Sequence, residues 1–265
     1  KYYKAAGFSG VGKKPKPHYD YIEDGRRPWT YRNGGASVVK FDDVMPYPRI
    51  CAHRGFNTIA PENSLPAFGA AIALGAEHLS VYSLQIEEGT PFYRKRHSLS
   101  LPDEETESAM LSDLLSRTRA AGYGRYEISN YAKGGRECRH NLRYWLMQEY
   151  LGFGIAAHSL YGGRRFYNRA DLAAYLHDPF CVRENEEVLT PAALEYETVM
   201  LGLRLAQGIE DREFSALFGY GFFQKYGDRM TPFFGGGLAV REGTRTRLTD
   251  RGMAVQNAIL AKILD

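Results

Sequence analysis

Cysteine is scarce in this sequence, and its few copies are poorly placed for chemistry. Cys51, Cys138 and Cys181 are the three cysteines in 265 residues. None is close enough to another for local spacing to build a zinc knuckle or an iron–sulfur loop. So sparse and odd a set suits a reducing cytoplasm better than a disulfide framework, and a cytoplasmic location is expected. Long apolar runs are also lacking, and the opening KYYKAAGFSG has no signal-peptide core, so no membrane partner is expected. Charge of one sign is nearly absent. A net charge of +3 gives no argument for nucleic acid or an anionic membrane. There are no repeats or low-complexity tracts.

What is present reads as a globular α/β chain, 44% hydrophobic and 25% charged. Its length allows one large or two ordinary domains. Residues 1–48 are rich in Gly, Pro, Tyr and basic side chains and read as an irregular N-terminal arm. RICAH (Arg49–His53) is a short apolar run suited to a buried parallel strand. A helix is predicted from Ser64, with Leu65, Phe68, Ile72 and Ala76 at helical spacing and Gly75 at its end. HLSVYSLQI then reads as a strand. The next helix spans about Asp103–Ala121, with acids in PDEET at its start and Arg117 and Arg119 in its last turn. RYEIS is another short strand. This order is the grammar of a parallel α/β sheet, with too few units to close an eight-stranded barrel.

From Thr190 the pattern changes. TPAALEYETVMLGLRLAQG predicts an amphipathic helix with Leu194, Thr198, Leu201 and Leu205 along one side. DREFSALFG and GFFQKYGDRMTPFFGGG suggest two more helices. LAVREGTRTRLTDRG reads as a hairpin through Glu242 and Gly243, then a helix capped at Thr249. The expected fold is therefore α/β: an incomplete parallel (β/α) barrel-like sheet followed by a small winged-helix-like α+β C-terminal domain. The expected segments are 1–48, 49–77, 78–189 and 190–265.

The sharpest local cluster is His53, Arg54, Glu62 and Asn63, at the carboxyl end of a strand where sites collect in parallel folds. There a histidine can move a proton, an arginine can grip phosphate, and a glutamate can ligate a hard cation. The alternative is side chains satisfied by loop backbone. The string CAHRGFNTIAPENSLPAFGAAIALGAE resembles the start of the glycerophosphodiester phosphodiesterase family, TIM barrels that hydrolyse phosphodiesters with a divalent metal. That resemblance implies His53 as a catalytic acid/base, Arg54 as a phosphate contact, Glu62 as a ligand to Mg or Ca, and a glycerophosphodiester substrate. The family carries an E-x-D pair on the next strand. Here those positions fall near Ser80 and Tyr82, and RKRHSLS around His97 does not match the family's second histidine. An incomplete metal site is expected.

From His78 onward, HLSVYSLQIEEGTPFY, YEISNYAKGGRECRHNLRYW, YLGFGIAAHSLYGGRRFYN and LTDRG resemble a second family. These are the radical S-adenosylmethionine enzymes of the oxygen-independent coproporphyrinogen oxidase type, and most closely their haem-chaperone branch. The resemblance implies a C-terminal cap domain. It also implies a C-x-x-x-C-x-x-C cluster loop that this sequence does not contain, so no iron–sulfur cluster and no radical catalysis are expected in this chain. HNLRYW is retained, and the resemblance implies a haem-associated role for His140, Asn141, Tyr144 and Trp145. Physically, His140 can serve as an axial ligand while Tyr144 and Trp145 pack on a porphyrin face. The alternative is two core aromatics and a hydrogen-bonded structural histidine.

Three functions follow as expectations. The first is a truncated haem-chaperone relative retaining haem or porphyrin binding, with radical catalysis lost. The second is a phosphodiesterase with an impaired site. The third is a nucleic-acid-binding module through the basic hairpin REGTRTR, though no nucleic acid is expected as a partner. Whether the chain is an enzyme stays open, because each family's active site is incomplete. Two adjoining partial signatures suggest a chimera joined at Glu77–His78. So few strands should leave edges open, and self-association is expected. GFGIAA from Gly152 imitates a dinucleotide loop without the helix it needs, and Cys138-x-His140 offers two metal ligands at most.

Overall fold

The computed structural model describes residues 51–265 except Cys181; the N-terminal arm and the start of the RICAH strand lie outside the described residues, as does the Cys51 side chain. The described residues divide into two compact units, one ending at Glu87 and the other running from Glu88 to Asp265.

In the first unit, β1 (Cys51–His53) pairs in parallel with β2 (His78–Ser80), and α1 (Leu65–Ala73) makes the crossover. The Ser64 hydroxyl caps α1 by accepting from the Ala67 N–H, and Pro66 occupies the first turn, where its missing N–H costs nothing. The buried stripe is Ala67, Phe68 and Ala71. Leu65, expected on that stripe, is exposed. Strand β2 stops at Ser80, well short of the predicted HLSVYSLQI. Beyond it, the Asn63 carboxamide accepts from the Tyr82 N–H at 3.0 Å and donates to the Tyr82 carbonyl at 2.6 Å. Backbone groups that would extend a ladder are held by a side chain instead.

The second unit opens with α2 (Pro91–Lys95), a 3₁₀ turn (Arg96–Ser98) and α3 (Glu104–Ala120). Asp103 caps α3 by accepting from the Thr106 N–H at 2.8 Å. Glu104, Glu105 and Glu107 lie in its first turn and Arg117 and Arg119 in its last, as the macrodipole favours. The RYEIS segment contributes little strand. Gly124–Arg125 (β3) pairs antiparallel with Asn130–Ala132 (β4), and α4 (Arg139–Trp145) follows. The segment expected to continue a parallel sheet instead forms an antiparallel one. Its strands are β5 (His158–Tyr161), β6 (Arg164–Asn168) and β7 (Arg183–Val188), with α5 (Leu172–His177) before β7. Gly162 and Gly163, both at positive φ, form the two-residue turn that folds β6 back on β5.

The C-terminal elements are α6 (Pro191–Gly202), β8 (Ile209–Glu210), α7 (Asp211–Phe218), α8 (Phe222–Gly235), β9 (Ala239–Glu242), β10 (Arg245–Leu248), α9 (Asp250–Ala254) and α10 (Gln256–Leu264). The strands form an antiparallel sheet in the order β8-β10-β9. Its helices close over a core that includes Val199, Leu203, Phe214, Phe222, Met230 and Ile263. Helix α6 is turned by one position from the predicted stripe: Glu195 and Val199 are buried, while Leu194, Thr198 and Leu201 are half-buried. A buried carboxylate needs partners, and Glu195 has them. It accepts from the Tyr220 and Tyr226 hydroxyls at 2.7 and 2.8 Å and from the Lys225 ammonium at 2.7 Å.

Candidate functional site

At the end of β1, the chain turns through two non-glycine residues with positive φ, Arg54 (64°) and Asn63 (60°). The Asn63 N–H donates to the Arg54 carbonyl at 2.6 Å, and the Arg54 N–H donates to the Ser80 carbonyl at 2.9 Å. Gly55 is required, since a Cβ there would lie 2.7 Å from the Ala67 Cβ. This tight loop brings His53, Arg54 and Glu62 together beside Tyr82. The Arg54 guanidinium donates to the Glu62 carboxylate at 2.8 Å and lies 5.8 Å from the Tyr82 ring, which meets His53 edge-on at 5.4 Å. Partial burial and the Arg54 charge hold the His53 pKa below its usual value, against the opposing pull of Glu62. Glu62, the metal ligand implied by the resemblance, is thus paired with the arginine implied for phosphate. Ser80 and Tyr82 add no carboxylate. Among the described residues, no three His, Cys, Asp or Glu side chains gather as a metal site. His97 lies in the 3₁₀ turn of the second unit.

The second cluster is built on α4. In HNLRYW, positions 140 and 144 are one helical turn apart, as are 141 and 145, so the four residues form two rows. The outer row is exposed: the Tyr144 hydroxyl lies 2.9 Å from His140 Nε2, and the rings meet edge-on at 5.0 Å. Tyr144 also packs edge-on against Tyr150 at 4.6 Å. The loop after Tyr150 holds large apolar side chains in solvent, with Phe153 84% exposed and Leu151 and Ile155 nearly half exposed. The inner row is engaged differently. The Asn141 carboxamide donates to the Tyr126 hydroxyl at 3.2 Å and to the Glu127 carboxylate at 3.4 Å. The Trp145 Nε1–H is buried with no acceptor among the described residues.

Behind the inner row is a group that sequence reasoning missed. Glu127 is almost fully buried, and its carboxylate accepts from the Ser129 N–H at 3.0 Å and from the Asn130 carboxamide. Burial pushes its pKa up, against the hydrogen bonds and the nearby Arg125 charge. Burial also raises the Tyr126 phenol well above its usual value. Tyr126 is tied to the C-terminal elements, because the Ala206 N–H donates to its carbonyl at 3.0 Å. The signal was available: YEISNY stands eight residues before HNLRYW, with an acid between an aromatic and an isoleucine.

The basic hairpin offers few uncommitted cations. Arg241 pairs with Asp211 at 3.0 Å, Arg245 with Glu210 at 3.2 Å, and Arg247 with Glu242 at 2.6 Å. GFGIAA is followed by β5 rather than by a helix, and Cys138 precedes α4 without capping it through its side chain. No helix among the described residues is long and apolar enough to cross a membrane.

Residues 189–255 match the family described as HemN C-terminal domain. The chain is 34% identical over 204 residues to Heme chaperone HemW of Bacillus subtilis, covering 75% of this chain and 54% of that protein. It is 32% identical over 196 residues to Heme chaperone HemW of Lactococcus lactis, covering 73% and 52%. The chain therefore spans about half the length of the relatives it matches. Coproporphyrinogen III oxidase (HemN) from Escherichia coli, a solved radical SAM enzyme, shares the fold with a TM-score of 0.58 at 16% identity, over 74% of this chain and 50% of that one. The 75% aligned with the Bacillus subtilis protein is more than residues 78–265 supply, so the similarity begins ahead of the expected Glu77–His78 seam.

Proposed function

We propose that this chain is a partial relative of the haem chaperones that binds haem as cargo at the outer face of α4, with His140 as the ligand to iron. The observation that carries this reading is the exposed His140–Tyr144 row beside the apolar loop Leu151–Ile155. The residues fit the group. Haem presents a flat apolar face and an iron that accepts an imidazole, and this surface pairs an accessible imidazole with aromatic and aliphatic side chains. Bound haem would supply a Lewis-acidic iron and an intense Soret band. The chain's own part is to bind and orient: His140 ligates, Tyr144 holds the imidazole until then, and Asn141 anchors the helix to Glu127. Radical catalysis is absent from this reading. The C-terminal elements, in which three helices precede a hairpin, serve as a winged-helix-like cap rather than as a nucleic-acid reader. The test is haem titration of the full chain. A saturable Soret shift in the unaltered protein that His140→Ala abolishes supports the reading; an identical titration of both proteins overturns it.

A second reading is favoured by the meeting of His53, Arg54 and Glu62 at one strand end. In that reading residues 49–77 descend from a glycerophosphodiester phosphodiesterase and residues 78–265 from the haem-chaperone branch. Mg- or Ca-dependent release of glycerol 3-phosphate, lost in His53→Ala, would support it. The Arg54–Glu62 pairing and the early start of the haem-chaperone similarity place it second. Self-association, read from strands too few to cover their faces, would appear as a dimer in sedimentation.

A further inference from the structure

A cleft of about 340 Å³ in the second unit is lined by side chains that neither reading uses, among them Arg119, Arg125, Arg247, Thr249 and Asp250. It brings together the C-terminal end of α3, strand β3, the end of β10 and the start of α9. Its charge is unbalanced. The two oxygens of Asp250 are divided, one accepting from Arg119 and the other from Arg125 at 2.6 Å. Arg247 is held by Glu242, through Nη2 at 2.6 Å and Nε at 3.4 Å. Within the lining, three guanidinium groups face the single carboxylate of Asp250; Glu242 holds Arg247 from outside it, and the buried Glu127 lies near Arg125.

Arg125 is the telling member. Its side chain is 5% exposed, and its Nε–H is buried with no acceptor among the described residues. A buried donor on a charged group left unpaired costs more than an ordinary unmade hydrogen bond, so a site that retains one is short of an acceptor. Asp250 fixes the Arg119 and Arg125 planes while using one N–H of each, Arg125 is also hydrogen-bonded to the Tyr131 side chain, and a guanidinium has five N–H groups in a planar fork suited to paired oxygens. The volume lies at the small end of the range for organic ligand sites, about 300–1,000 Å³.

We propose that this cleft binds a small oxyanion, a phosphate monoester or a carboxylate, between Arg119, Arg125 and Arg247. The ligand oxygens are held by N–H groups of Arg119, Arg125 and Arg247 beyond those used by Asp250 and Glu242, and the excess guanidinium charge in the lining retains the ligand. The site is independent of haem binding at α4.

The test uses the full chain and two probes, orthophosphate and succinate, each against chloride at matched ionic strength. Thermal midpoint and the ¹⁵N-detected Arg Nε–H signals are recorded. At least one probe should raise the midpoint saturably and move the Arg125 Nε–H signal; orthophosphate alone identifies a phosphate ester, succinate alone a carboxylate. Arg119→Ala and Arg247→Ala alter partly exposed side chains and leave the buried Arg125 in place. Each should weaken the effective probe about tenfold, the worth of a charge-assisted hydrogen bond. The proposal is overturned if neither probe acts beyond chloride, or if both variants respond as the unaltered protein does.

Discussion

The Tyr144 hydroxyl lies 2.9 Å from Nε2 of His140, so the imidazole proposed to ligate iron has one nitrogen already engaged by a neighbour one turn along the same helix. Ligation through Nε2 must displace that hydroxyl. Tyr144→Phe keeps the ring and removes the competitor, and is expected to bind haem about two- to tenfold more tightly, the usual worth of a neutral hydrogen bond. Tyr144→Ala, which also removes the packing against Tyr150, should bind more weakly. Weaker binding by the phenylalanine variant would show that the hydroxyl supports ligation instead of opposing it.

Glu127 should give the fold a pH dependence of unusual sign. Burial holds its folded-state pKa above the ordinary value of 4.5, so folding takes up a proton between those two values. Its contribution to stability is complete below the unfolded value and is lost as pH rises through the folded one. Urea midpoints measured across the weakly acidic range should show this decline in the unaltered protein and not in Glu127→Gln. Parallel profiles for the two would remove Glu127 as its source.

Glu195 should act in the opposite direction. Burial alone would raise its pKa, but the bonds from Lys225, Tyr220 and Tyr226 outweigh that and hold it down. Its contribution is present above the ordinary glutamate value of 4.5 and is lost as pH falls through the depressed folded value. Glu195→Ala also leaves the buried Tyr226 hydroxyl without its acceptor and should cost about 1–3 kcal/mol at neutral pH by denaturant unfolding. A neutral result would mean that water replaces the carboxylate.

Two glycines with different reasons for being glycine separate space from backbone conformation. At Gly252 a Cβ would fall 1.8 Å from the Leu238 carbonyl oxygen, so Gly252→Ala must shift α9 or β9 and should cost about 3 kcal/mol. Gly219 ends α7 at φ 84° with open space around it, and Gly219→Ala should cost about 1–2 kcal/mol from backbone strain alone. Thermal unfolding of both variants tests the ranking, and a reversed order would contradict the packing at Gly252.

Much of the helical structure was legible because local chemistry dictates it. Asp103 with its following acids, Thr190 before Pro191, and Thr249 before α9 each cap the helix that the spacing predicted. Four of the five residues of LTDRG have a role that the structure makes plain. Leu248 is core, Thr249 caps, Asp250 clamps two arginines, and Gly252 admits the Leu238 carbonyl. Strand extent was less legible. Asn63 holds the Tyr82 backbone from nineteen residues away, a contact that no β propensity encodes. The antiparallel sheet β5–β7 carried a signal in Gly162–Gly163, but its charged strands RRFYN and RENEEV hide the alternation that marks a half-buried strand. At the candidate site, HNLRYW was visible as a motif, whereas its division into an exposed row and an anchored row depended on Glu127, which only folding brings beside Asn141.

Ligation of haem iron by His140 would be read from the coordination state of that iron. Electron paramagnetic resonance of the ferric complex should show a histidine-ligated signal in the unaltered chain, replaced in His140→Ala by the signal of haem without that ligand. The same signal in both proteins would mean that another residue holds the iron, and the proposal for α4 would fall.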